Sequence, residues 1–189
     1  IGKSQIANQI ADDTRLRFVD YRALLRDPVD IRGLPVPDLS EGTTRWLRPD
    51  DLPFEPYAGP PCLVFMDEIN TASAAMQNAC LGLVLERRAG QHVLAPSTRI
   101  LAAGNLGRAD RTNVTKMSAA LESRFARIEL TVDSEDWRTY AKARGMNPIV
   151  VDFIGYRPTL LNNMTANTNG KWPDPRAWEK VATVLPSFS

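Results

Sequence analysis

The tripeptide Gly2-Lys3-Ser4 sets an ammonium beside a hydroxyl at the start of the chain, and two adjacent carboxylates, Asp67 and Glu68, close the apolar run CLVFMDEIN. A side-chain amide, Asn105, closes a second apolar run, STRILAAGN. An ammonium neutralises oxyanions, a hydroxyl and a carboxylate suit a hard divalent cation, and a second carboxylate can draw a proton from water. Gly2, Lys3 and Ser4 match the last three positions of the pattern GxxxxGK[ST]. In that pattern a glycine-rich turn wraps phosphate with backbone N–H groups, the Lys meets the outer phosphates and the hydroxyl ligates magnesium. Taken alone, GKS is a weak signal. The complete pattern needs more glycines and a preceding strand, so the expectation is a fragment whose first strand is missing.

The elements around these residues alternate. Ile6, Ala7, Ile10 and Ala11 have helical spacing from Ser4 to Asp12, which puts Lys3 and Ser4 at a helix start, where unpaired N–H groups favour anions. LRFVDYRAL contains a short strand-like stretch, DPVDIRGLPVPDL reads as a punctuated loop, and 40–61 reads as irregular and Pro-rich. In that connection Trp46, Phe54 and Tyr57 are expected to anchor the loop on the core rather than face a substrate. CLVFMD is apolar without alternation, as in a strand covered on both faces. Thr71 is the expected cap of a helix running to about Arg88, with Gly90 as its stop. STRILAAGN gives another buried strand, a short helix is expected around Met117 to Phe125, and ARIELTV reads as a third strand. Asp136 to Ala143, Pro148 to Tyr156 and Pro175 to Val184 read as helices.

This alternation predicts an α/β sandwich with a parallel sheet over 1–133, followed by a helical satellite over 134–189. In such sheets ligands bind at the carboxyl ends of the strands, so the five polar residues converge on one rim if the missing strand ends at Lys3 and Ser4. Lys3 would then meet the β and γ phosphates, Ser4 and Asp67 would hold magnesium, Glu68 would polarise the attacking water, and Asn105 would bind that water or the γ phosphate. Phosphoryl transfer asks mainly for positioning and charge stabilisation, which this set supplies.

The remaining composition is restrictive. A formal net charge of +1 leaves no global footprint for nucleic acid. No apolar run is long enough to span a bilayer. Cys62 and Cys80, set in apolar sequence, read as core thiols of a reducing, cytoplasmic setting rather than as a disulfide or zinc framework. His92, the single histidine, reads as structural.

In this order the motifs resemble the AAA+ ATPases, and more closely their MoxR-like, dynein-related branch. GKS is similar to the end of Walker A, LVFMDEIN to Walker B, LAAGN to the sensor 1 strand, ALESRF to the arginine-finger helix and WPDPRAW to the sensor 2 helix. DPVDIRGLP and NACLGLVLERRAG also look like that branch. The resemblance implies a P-loop NTPase three-layer sandwich, lacking its first strand, with a partial all-helical lid. It implies ATP and magnesium as ligands, and ATP hydrolysis coupled to remodelling or chaperone-like maturation of a client protein.

Such ATPases work as rings, usually hexamers. Arg124 would reach a neighbouring subunit's γ phosphate and Arg176 would contact the γ phosphate of its own subunit. A basic surplus of Arg87, Arg88, Arg99, Arg108, Arg111, Lys116, Arg124 and Arg127 over Glu86, Asp110 and Glu122 suits a face meeting a neighbour's phosphates, and would also suit nucleic acid. MoxR-like proteins are often linked to von Willebrand A domain partners. The rival readings are a DNA-directed AAA+ motor or loader and a non-hydrolysing nucleotide-gated scaffold, the latter disfavoured by Glu68 and Arg124.

Overall fold

The run CLVFMD folds as the middle strand of a parallel sheet in the computed structural model, which describes residues 2–105, 117–163 and 172–188. The chain divides into two compact units, Lys3–Arg127, and Ile128–Ser189 together with Ile1–Gly2. In the first, α1 (Lys3–Asp13) leads to β1 (Arg17–Arg22), α2 (Pro28–Arg32), and a hairpin of β2 (Leu34–Asp38) and β3 (Thr43–Leu47). The chain continues through β4 (Cys62–Asp67), α3 (Ala74–Leu85), a small hairpin of β5 (Arg88–Ala89) and β6 (His92–Val93), then β7 (Arg99–Ala102) and α4 (Ala119–Glu122).

The sheet order is β1-β4-β7 and both pairings are parallel. Successive β4 side chains go to opposite faces. Cys62, Val64 and Met66 pack with Met76, Ala79, Cys80 and Leu83 of α3, whereas Phe65 packs with Ala7 of α1 and Ala103. Phe65 also stacks on Phe18 of β1, with centroids 5.8 Å apart. Helix, sheet and helix thus form three layers, and a continuous apolar strand is what two covered faces require. Each large side chain so buried contributes about 1.5–3 kcal/mol. The two thiols are free and buried, and burial alone pushes the Cys80 thiol up to about 12.

Several local expectations need correction. The stretch read as loop and irregular sequence contains α2 and the β2–β3 hairpin. Asp27 and Asp30 form a reciprocal capping box at the start of α2, and Pro28 occupies its first turn. Pro35 and Pro37 are tolerated because a two-stranded hairpin consists of edges, where a missing N–H is harmless. Gly33, at φ 86, closes the hairpin base, where a Cβ would overlap the Leu47 carbonyl. Phe54 and Leu52 are buried, as an anchor should be, whereas Trp46 lies 38% exposed on the hairpin.

Thr71 does not cap α3. Ser73 does, its hydroxyl accepting the Met76 N–H at 3.2 Å, and the helix ends at Leu85 because Arg87 adopts a left-handed φ of 59. ARIELTV is not a strand. Residues 126–132 have no ladder partner among the described residues, and Ile128 is 81% exposed. Apolar alternation makes a segment fit a sheet, but the segment becomes a strand only when another edge takes up its backbone groups.

The second unit holds α5 (Ser134–Ala143), α6 (Pro148–Tyr156) and α7 (Pro175–Val184). Trp137 and Ala141 of α5, Val150, Val151 and Ile154 of α6, and Ala182 of α7 share one core with Leu161. Each helix begins at a side-chain cap: Asp133, Asn147 and Asp174 accept N–H groups of the following turn. No helix among the described residues is long and apolar enough to cross a membrane.

Candidate functional site

Two hydrogen bonds draw three distant stretches of chain together at the carboxyl end of the sheet. The Lys3 ammonium donates to Asn105 Oδ1 at 2.8 Å, and the Ser4 hydroxyl donates to Asp67 Oδ2 at 2.8 Å. Gly2, with φ 74, leads into α1, so Lys3 and Ser4 form its first turn, where backbone N–H groups lack intrahelical partners. Asp67 is the last residue of β4, and its second oxygen accepts the Glu68 N–H at 3.0 Å.

Glu68 then turns the chain. Its φ of 52 and ψ of 37 lie in the left-handed region, which costs a non-glycine residue about 1–2 kcal/mol. Thr71, the displaced cap, closes this turn, since its N–H and hydroxyl donate to Glu68 O at 2.9 and 2.7 Å. Ile69 N–H donates to Ala103 O at 3.0 Å, so the segment leaving the turn is tied to the segment leaving β7. The Glu68 carboxylate, half-buried, has no hydrogen-bond or ion-pair partner among the described residues. A residue held at such a backbone angle beside an open carboxylate fits a functional position better than a simple turn.

Asn70 joins the same group through the backbone of Asn105. Its Nδ2 donates to Asn105 O at 2.7 Å and its Oδ1 accepts the Asn105 N–H at 3.0 Å. The only trace of it in the sequence is an Asn two places after Glu68, which reads equally well as a turn residue.

Among the described residues no three His, Cys, Asp or Glu side chains gather as a metal cluster. The Ser4–Asp67 pair nonetheless fits magnesium, which commonly takes one or two protein oxygens and fills its remaining positions with water and phosphate.

Neither Arg124 nor Arg176 takes part in these hydrogen bonds. Arg124, exposed just after α4, lines a shallow cleft of about 340 Å³ with Arg87, Thr98, Arg99 and Phe125. The Arg87 guanidinium donates to Ala95 O and Thr98 O, and burial, followed by the charge of Arg99, holds it below the usual arginine range. Arg127 lies 3.9 Å from Glu122, whereas Arg108, Asp110, Arg111 and Lys116 fall outside the described residues. Arg176 belongs to the helical unit, exposed on the first turn of α7 behind Pro175.

His92 is buried, tilted against Phe54 at 5.7 Å, and its pKa is lowered by that burial and by Arg48. This is a core residue, packed beside Phe54.

The fold is a parallel three-layer α/β sandwich, consistent with the P-loop NTPase fold, and the chain also holds a helical unit. NtrX from Brucella abortus is similar at 16% identity, with a TM-score of 0.50 over 99% of this chain and 44% of that one. The same protein solved in complex with ADP gives 16% identity and a TM-score of 0.54 over 99% and 43%. The chain therefore spans less than half the length of these structures, and at such identity the likeness is one of fold. No family model and no curated protein matches the chain.

Proposed function

We propose that this chain is the nucleotide-handling part of an AAA+ ATPase that hydrolyses ATP to ADP and phosphate with magnesium. The observation that carries this reading is the gathering of Lys3, Ser4, Asp67 and Asn105 through two 2.8 Å bonds, with Glu68 adjoining Asp67. That a structure of the same fold holds ADP supports an adenine nucleotide as the ligand class.

Lys3 binds the outer phosphates and shields their charge. Ser4 and Asp67 would hold magnesium, which would offset phosphate charge. Glu68 takes the proton of the attacking water, and Asn105 fixes that water or the γ phosphate by hydrogen bonding. Arg124 acts on the nucleotide of a neighbouring subunit in a ring, probed by mixing Arg124→Ala with wild-type subunits: failure to depress the mixed activity counts against it. Arg176 reports nucleotide state from the helical unit.

The client is a protein that is remodelled or matured, in keeping with the MoxR-like motifs, and a von Willebrand A domain protein is one candidate. A DNA-directed AAA+ motor shares the same catalytic set, and the NtrX fold likeness gives the MoxR-like branch no advantage over it. Salt-sensitive DNA affinity of the full-length protein decides between them, since neutralised phosphates release counterions. The central test is Glu68→Gln in the full-length protein. Nucleotide binding persists and turnover is lost; normal turnover would falsify the assignment of the base.

A further inference from the structure

The geometry points to Asn70 as the positioning residue of this site: its carboxamide grips the backbone of Asn105 on both sides and thereby aims the Asn105 amide. The inference rests on the nucleotide reading above.

Asn105 lies three residues beyond the end of β7, where no strand neighbour fixes the backbone. A side chain that must hold a water or phosphate to within a fraction of an ångström needs its main chain pinned. Asn70 supplies what a strand neighbour would. Its Nδ2 donates to Asn105 O at 2.7 Å while its Oδ1 accepts from Asn105 N at 3.0 Å. A donor and an acceptor presented together on one neutral plane are the property of a carboxamide, and Asp offers only acceptors.

The preceding position is shaped to the same contact. A Cβ on Gly104 would stand 2.9 Å from Asn70 Oδ1 and 3.0 Å from Asn70 Cγ, so the amide packs flat against bare backbone. Asn70 also belongs to the tight turn Ile69–Thr71, whose Thr71 closes on Glu68 O. One four-residue stretch, Glu68 to Thr71, therefore carries both the proposed water-activating carboxylate and the grip on the Asn105 backbone. The separation between the two becomes a property of the turn rather than of either strand.

The test uses the full-length protein and follows kcat, KM and nucleotide affinity by calorimetry. Asn70→Ala leaves affinity within about two-fold and lowers kcat by roughly 10- to 100-fold, as expected when an interaction made only in the transition state is misplaced. Asn70→Asp falls at least as far, because a carboxylate oxygen then opposes the Asn105 carbonyl. Gly104→Ala, which pushes on the amide from the other side, lowers kcat in the same way. Combining Asn70→Ala with Asn105→Ala adds nothing to Asn105→Ala alone, a non-additivity that a purely structural role would not produce. Should Asn70→Ala not fold, Asn70→Asp and Gly104→Ala carry the test.

Normal wild-type turnover with an indifferent Asn70→Ala overturns this inference by itself, as does a further loss in the double variant. A wild-type protein that neither binds nor hydrolyses ATP overturns the proposed function and this inference with it.

Discussion

CLVFMD and ARIELTV look like the same kind of sequence, yet one is the middle of the sheet and the other pairs with no strand among the described residues. From Cys62 to Met66 every β4 residue is buried, with β1 on one side, β7 on the other and a helix over each face. Ile128, Leu130 and Val132 are 81, 49 and 39% exposed, and no strand takes up their backbone groups among the described residues. A strand is a relation between segments rather than a property of one. The chemistry follows that division: Lys3, Ser4, Asp67 and Asn105 gather where β4 ends.

The sharpest way to probe the contrast is at the end of β4, where Glu68→Gln is expected to cut ATP turnover of the full-length protein by at least about 100-fold, the usual scale for a positioned proton acceptor. Within the strand, Phe65→Ala removes a ring packed between α1 and β1 and should destabilise the α/β unit by about 3–5 kcal/mol in denaturant unfolding. Glu68→Gly works in the opposite direction. Relief of the left-handed strain should stabilise the fold by up to about 1 kcal/mol while turnover disappears, separating backbone cost from chemical use. Smallest of all, Ile128→Ser should change stability by no more than about 0.5 kcal/mol. If it costs as much as Phe65→Ala, the contrast between the two segments is wrong.

What could be read from sequence depended on how local the physics was. Burial on both faces writes itself into β4 as an unbroken apolar run, and the caps and apolar spacing of α5, α6 and α7 lie within a few residues of each other. The polar pairs at the rim were reachable through the rule that ligands sit at strand ends. The β2–β3 hairpin is hidden because Pro35 and Pro37 read as loop, and ARIELTV reads as a strand because alternation says nothing about a partner. Thr71 and Ser73 are both hydroxyl residues near the start of α3. Which one caps the helix depends on the left-handed Glu68, whose carbonyl claims Thr71. Asn70 was the least legible, since its whole role is to bind main chain 35 residues away.

The Lys3–Asn105 bond has a consequence for how the protein would receive a ligand. The Lys3 ammonium and the Asn105 amide are bonded to each other at 2.8 Å, so on the proposed reading a phosphate that takes up the ammonium competes with that bond. Under that reading, an anion that claims the ammonium unhitches the Asn105 amide as it arrives. An amide resonance of Asn105 that stays fixed on addition of magnesium and ATP would show that no such handover takes place.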